Sequence, residues 1–178
     1  MDNSPTTIRK GVFSDAQPVC KIRVETWQKA YTQFMPKSFL AQLDPLSQLK
    51  TLQQKISNPS DDFSLFIAEK ENNVIGFCIS GKPRHHTNPD TVELQGLYVL
   101  PRYWGLKTGR SLIERCIEHS IQKKFDYIEL WCIKGNSQAQ RAYENCGFTQ
   151  TGEERKSSAS NNSSLTETLY RMTLTKAN

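Results

Sequence analysis

Two short segments of the chain hold residue types at spacings that can do chemistry. The first, residues 93–112 (ELQGLYVLPRYWGLKTGRSL), reads as a strand that passes through a tight turn directly into an amphipathic helix. A turn of that kind leaves several main-chain N–H groups unpaired at the positive end of the helix dipole, an arrangement that grips a diphosphate without needing a particular side chain. Gly105 and Gly109 let the backbone approach a ligand, and Lys107 and Arg110 add positive charge beside it. An ordinary strand-to-helix connection would account for this segment taken alone equally well. A nucleotide-binding phosphate loop would not, because the order Gly-Lys-Ser/Thr is absent.

The second segment, residues 130–148 (LWCIKGNSQAQRAYENCGF), again runs from a strand into a helix. Asn136 stands at the strand exit, where its side chain either caps the helix or reaches a ligand amide. Tyr143 follows seven residues later, which is two helical turns, so both side chains fall on one face and can point into one cleft. A core tyrosine on a short helix is the plainer alternative. His85 and His86 share a loop, where they read as contacts for a second ligand or as a metal pair; adjacent histidines are expected to point in different directions, so no metal site is predicted there. The cysteines Cys20, Cys78, Cys116, Cys132 and Cys146 are odd in number and contain no C-x-x-C pair, which reads as buried free thiols rather than disulfides or zinc ligands.

The elements that must position these residues follow from periodicity. Alternation over 6–13 predicts an edge strand, with Asp15 as the N-cap of a helix carrying Val19, Ile22, Val24, Trp27 and Tyr31 at helical spacing. A second helical region follows Pro36 and runs to Asn58 and Pro59. Residues 64–69 and 74–81 form a hairpin around Glu71, Asn72 and Asn73. Strands are predicted at 91–100 and 127–133, with a helix over 107–124 between them, whose apolar face is Leu112, Ile113, Cys116, Ile117 and Ile121. A short helix over 137–145 stops at Gly147, and strands at 148–152 and 165–174 close the sheet. The serine- and asparagine-rich stretch 156–164 is expected to be a mobile connection. Gly96, within a strand, suggests a bulge or a close backbone approach, and a bulge there would splay the neighbouring strands.

Together the two segments resemble the signature of the GNAT acetyltransferases. Asn136, Ala139, Tyr143, Glu144, Gly147 and Phe148 match the family pattern N-x-x-A-x-x-x-Y-E-x-x-G-F without a gap. The first segment departs from the family form Q/R-x-x-G-x-G/A: aligned on Gly109, Trp104 stands in place of Gln or Arg and Lys107 in place of the first glycine. The resemblance implies one N-acetyltransferase domain over residues 1–178, with an α/β fold. Its sheet would be mixed and mostly antiparallel, seven-stranded, with a central parallel pair that splays apart and helices on both faces. It also implies acetyl-CoA as cosubstrate, held by main-chain groups around Leu97, Tyr98 and Val99, by Trp104, Gly105, Leu106, Lys107, Thr108, Gly109 and Arg110, and by Asn136 and Tyr143. Tyr143 would assist the departing thiolate, Glu93 would act as base, directly or through water, and Trp27 and Tyr31 would line the entrance for a small-molecule or peptide amine. A homodimer is the assembly common among such relatives. An acyl-CoA-binding sensor without catalysis is the alternative that the altered first motif keeps open.

Composition agrees with this and narrows it. At 178 residues, 37% hydrophobic and 23% charged, the chain suits a globular domain. No apolar run approaches a membrane span, and the first ten residues lack the apolar block of a leader, so no membrane partner and a cytoplasmic location are expected. The net charge of +5 fits a pocket for a polyanionic cosubstrate; nucleic acid is not expected, because the basic residues are interleaved with acids rather than clustered with aromatics.

Overall fold

A computed structural model describes residues 4–160 and 163–175. Its sheet has seven strands: β1 (Thr7–Lys10), β2 (Ser64–Lys70), β3 (Asn73–Gly81), β4 (Thr91–Val99), β5 (Tyr127–Ile133), β6 (Thr149–Ser160) and β7 (Ser163–Thr173). They lie in the order β1-β2-β3-β4-β5-β7-β6. Every pairing is antiparallel except β4 with β5. The helices are α1 (Ala16–Ala30), α2 (Lys37–Ala41), α3 (Leu49–Ser57), α4 (Thr108–Gln122) and α5 (Ser137–Glu144). This is the mixed, centrally splayed sheet that the signature implies.

The period-2 alternation of β2 and β3 divides their side chains between two cores. Phe66, Ala68 and Cys78 pack with Leu112, Ile113 and Cys116 of α4 on one face. Leu65, Ile67 and Phe77 pack with Val19 and Ile22 of α1 and Leu52 of α3 on the other. Both faces are covered, so the central strands read as nearly continuous apolar runs. The β2–β3 hairpin turns through Glu71 and Asn72, both at positive φ (50° and 61°), the conformation of a tight two-residue turn.

Three elements differ from expectation. The long second helical region is broken into α2 and α3, with Asp44 and Pro45 in the break, where proline disfavours helical geometry in the residue before it. Asp15 precedes α1 but makes no capping bond; its carboxylate instead takes two guanidinium hydrogen bonds from Arg9 (2.7 and 2.9 Å) and the Val12 N–H (2.8 Å). The stretch expected to be a loose connection is mostly strand, since β6 runs to Ser160 and β7 starts at Ser163; Ser157 pairs with Leu165. Ladder bonds come from the main chain, so a serine-rich sequence can still pair. Asn161 and Asn162, and the first three residues included in the leader reading, lie outside the described residues.

The feature that creates the site is the β4–β5 junction. These strands pair over only three residues, Thr91 with Tyr127, Val92 with Ile128 and Glu93 with Glu129. Past Glu93, β4 stays with β3 up to Val99, while β5 stays with β7 up to Ile133, and the two separate. The cause is local. Ile79 pairs with Gly96 but Ser80 with Leu94, so Gln95 is an extra residue that bends β4. Gly96 eases the packing beside it, because a Cβ there would stand 3.0 Å from the Tyr98 ring and 3.2 Å from Ile79, so those side chains would have to give by a few tenths of an ångström.

Candidate functional site

The wedge between the parted strands continues into a cleft of about 420 Å³. Its walls are Leu97, Tyr98 and Val99 of β4, the turn and start of α4, and Asn136, Ala139 and Tyr143 at and within α5, with Tyr31 reaching in from the end of α1. Leu100 donates its N–H to Ile75 at the edge of β3. Alternation then turns the main-chain groups of Tyr98 towards β3 and those of Leu97 and Val99 towards the gap. The Val99 carbonyl is already bound, accepting from the Trp104 indole N–H (2.6 Å) and the Thr26 hydroxyl (3.4 Å). Trp104 thus pins the strand end to the turn.

At the α4 end, the first helical bond leaving the turn is Ser111 N–H to Lys107 O, so the amides of Thr108, Gly109 and Arg110 have no main-chain acceptor among the described residues. Gly105 and Lys107 both have positive φ, 78° and 62°. At Lys107 the backbone adopts the left-handed conformation that suits glycine, with a cation in its place. Thr108 is 3% exposed, and its Oγ1 is buried without a hydrogen-bond partner among the described residues. An orphaned hydroxyl beside three free amides marks a place for an acceptor-rich anion. Arg110 lines the cleft while bound to Glu114 (2.7 Å). Leu106, 62% exposed, projects to solvent and is not among the cleft-lining residues.

Across the cleft, Asn136 accepts the Ala139 N–H (3.3 Å) through Oδ1 and caps α5 while also lining the cavity. Tyr143 is half-buried, its ring 6.1 Å from Phe148. Among the described residues its hydroxyl has no hydrogen-bond partner. Burial, with smaller contributions from Cys132 and Tyr98, pushes its pKa well above that of an ordinary phenol. Burial likewise raises Tyr31 and Tyr98, so all three phenols stay protonated at neutral pH.

Trp27 and Tyr31 sit edge to face with ring centroids 5.2 Å apart and line a second cavity of about 170 Å³. This cavity shares Tyr31, Tyr98 and Tyr143 with the cleft. The two openings therefore meet at the three phenols.

Glu93, expected as a base facing the amine, lies differently. It is fully buried and is absent from the walls of both cavities. Its Oε1 accepts from Arg84 Nε (2.9 Å) and Nη2, and its Oε2 accepts the Arg84 main-chain N–H (2.8 Å). The histidines also depart from expectation, since both converge on buried Glu129, His86 Nε2 at 2.9 Å and His85 Nε2 at 3.3 Å from Oε1. His85 Nδ1 accepts from the Trp131 indole N–H (3.1 Å) and His86 Nδ1 from the Asn88 main-chain N–H (3.1 Å). Those bonds leave both Nε2 atoms facing Glu129 Oε1, which has no well-formed hydrogen-bond partner among the described residues, so His85, His86 and Glu129 bring three potential metal-ligand atoms within 4.8 Å of one another where the sequence predicted no metal site.

The reading of the sequence did not single out Arg84, Trp131 or Arg155, which wall the second cavity. Trp131 shares a face with Glu129 by strand alternation, and Arg155 and Glu167 stand opposite each other in the last hairpin. Only the pairing register would have revealed them.

Comparison with known proteins agrees with this geometry. The model of the acetyltransferase (GNAT) family matches residues 20–148. The uncharacterized N-acetyltransferase YuaI of Bacillus subtilis (strain 168) is 26% identical over 131 residues, 73% of each chain. The fold is shared with the PaiA N-acetyltransferase of Thermoplasma acidophilum, solved in complex with coenzyme A (TM-score 0.75, 18% identity, 95% of this chain and 99% of that one). It is also shared with yncA of Salmonella typhimurium, a putative acetyltransferase solved with acetyl-CoA (TM-score 0.75, 19% identity, 98% and 97%).

Proposed function

Since the chain belongs to the acetyltransferase (GNAT) family, we propose that it moves the acetyl group of acetyl-CoA to a primary amine by direct attack on the thioester. The observation that carries this reading is the wedge itself: free amides and an unpaired hydroxyl at one end, an unpaired phenol at the other, and a separate opening that meets them at Tyr143. Acetyl-CoA supplies the activated acyl group and a thiolate leaving group.

In this reading the amides of Thr108, Gly109 and Arg110, with Thr108 Oγ1 and Lys107, hold the diphosphate. The main-chain groups of Leu97 and the N–H of Val99, which face the gap, run beside the pantetheine as an added strand would. Gly105 and Trp104 shape the turn, Asn136 fixes the start of α5, and Leu106 takes no part. Tyr143 donates a hydrogen bond to the departing sulfur. Full proton transfer is uphill, because a phenol already above 10 faces a thiol near 8.5, so the hydroxyl acts by stabilising charge.

The chain supports direct attack through Cys132, the thiol in the wall of the second cavity. Burial, reinforced by Glu167 and Glu144, pushes its pKa up to about 12. It is a thiolate in roughly one molecule in a hundred thousand at pH 7, too seldom to serve as an acyl carrier. An acceptor ammonium with pKa near 10.4 is neutral in roughly one of two thousand molecules at pH 7, so its proton must leave before attack. Glu93 is turned into Arg84 and serves as a positioning residue, and solvent at the second opening takes the proton.

Release of free thiol from acetyl-CoA across a broad amine library tests the reading, together with the intact mass of the protein after acetyl-CoA alone. Amine-dependent release and an unmodified protein mass are expected. Coenzyme A binding without turnover of any amine would make the chain a sensor, and an acetylated Cys132 would replace direct attack by a two-step transfer.

A further inference from the structure

On the side of the phenols away from the diphosphate site, the 170 Å³ cavity adjoins another of about 350 Å³ between α1, α3 and the bulged part of β4. The two share Trp27, Arg84, Gln95 and Tyr98. The larger is of the size that small-molecule sites occupy. Its charged wall residues are Arg23, Lys55 and Arg84, all cationic. The smaller adds Arg155 and one carboxylate, Glu167, which Arg155 Nε already binds at 2.7 Å. An acceptor approaching Tyr143 by this route therefore meets cationic walls, in which Arg84 and Arg155 are paired with Glu93 and Glu167 while Arg23 and Lys55 have no carboxylate partner among the described residues.

Arg84 is built for more than charge. Its Nε–Nη2 edge is spent on the fully buried Glu93, which fixes the plane of the guanidinium, while Nη1 has no partner among the described residues. The side chain is 52% exposed at the cavity wall. A guanidinium clamped along one edge offers the other as a preset fork for a carboxylate. Nearby, the indole Nε1 of Trp27 is buried beside the Tyr98 hydroxyl without a well-formed hydrogen bond, a second donor in want of an acceptor. Arg155 lies 4.2 Å from the Trp131 ring centroid, which holds its charge at the rim.

We propose that the acceptor is a small amine that carries a carboxylate, bound with the carboxylate on the open edge of Arg84 and the amine turned towards Tyr143. This rests on the acetyltransfer reading above and narrows its substrate class. Polyamines and other polycations are disfavoured, because every added positive charge would face Arg23, Lys55, Arg84 and Arg155. Glu93 then has its function: it is the buried anion that orients the recognition arginine.

The test compares matched amines: an amino acid, the same compound with its carboxylate amidated, and the same amine with the carboxylate removed, each assayed by thiol release from acetyl-CoA. The acid is expected to exceed both partners in kcat/KM by about tenfold or more. Arg84→Lys, which keeps the charge paired with Glu93 but loses the fork, is expected to raise KM for the acid by about tenfold and leave the amide within about twofold. Arg155→Gln leaves Glu93 paired, and is expected to raise KM for the acid by a smaller factor, about threefold, again sparing the amide. Equal turnover of acid and amide, preference for a polyamine, or an acidic peptide that outruns every small carboxylate would each overturn the inference and leave acetyltransfer standing. Turnover of no amine would overturn both.

Discussion

Replacing Thr108 by valine tests the diphosphate site with two effects of opposite sign. The Thr108 hydroxyl is buried at the head of α4 with no hydrogen-bond partner, and an unsatisfied buried polar group costs about 1–3 kcal/mol. Valine has the same branched shape and similar helix propensity, so Thr108→Val removes the orphan without opening a cavity. The ligand-free variant should gain about 1 kcal/mol, which in a domain of this size is about 2–4 °C in Tm. In the proposed diphosphate site that hydroxyl would donate to a charged phosphate oxygen, a bond worth about 1.5–3 kcal/mol, so Kd for coenzyme A should rise by a factor of about 10–150. Ligand stabilisation follows RT ln(1 + [L]/Kd), so at saturating coenzyme A the order reverses and the parent becomes the more stable protein. Thermal unfolding with and without coenzyme A, alongside calorimetric titration, reads both signs. A variant that is less stable without ligand and binds coenzyme A within twofold of the parent would refute the assignment of Thr108 and the amides beside it.

Tyr143→Phe should lower kcat by about ten- to a hundredfold, the loss of a hydrogen bond to a charged sulfur, while Kd for coenzyme A and Tm hardly change, because the hydroxyl has no protein partner to strand; single-turnover kinetics checks it. Lys107 separates charge from conformation: Lys107→Gly should relieve a left-handed backbone by about 1 kcal/mol and raise Tm, whereas Lys107→Ala keeps the strain, and both should weaken coenzyme A in a salt-dependent way. Glu93→Gln should preserve the shape of the pH–rate profile and destabilise the fold by about 1–3 kcal/mol through the lost partner of Arg84; a displaced acidic limb would return the base role to Glu93. Stability should fall on acidification below about pH 6.5, because burial lowers His85 and His119 beneath their ordinary value. The unfolded chain then binds the extra protons, so stability is fully present above that value and is lost as the pH drops through the depressed ones. Urea midpoints between pH 7.5 and 5 check this, and His119→Gln should reduce the slope.

Much of the architecture was readable because it rests on local rules. The limits of β5 follow from β-branched and aromatic residues between turn signals, α4 from its apolar stripe, and the β2–β3 turn from Glu71 and Asn72. Gly96 correctly marked the bulge, since glycine within a strand signals a close approach. The connection between β6 and β7 was misread because composition weighs side chains, while a ladder is made by the main chain, whose pairing depends on a neighbour distant in sequence.

For the site, the sequence by itself determined the parts set by spacing along the chain: a turn rich in free amides before α4, and Asn136 and Tyr143 two turns apart on one helix face. These depend on spacing within one element, which a one-dimensional string records. Only the tertiary structure decided that Glu93 is sealed against Arg84, that His85 and His86 share Glu129, and that Arg23, Lys55, Arg84 and Arg155 line the two adjoining cavities proposed for the acceptor. Those arrangements join residues from separate helices and strands. The partner of a buried charge is set by strand register and by the bulge at Gln95, neither of which any local run of residues specifies.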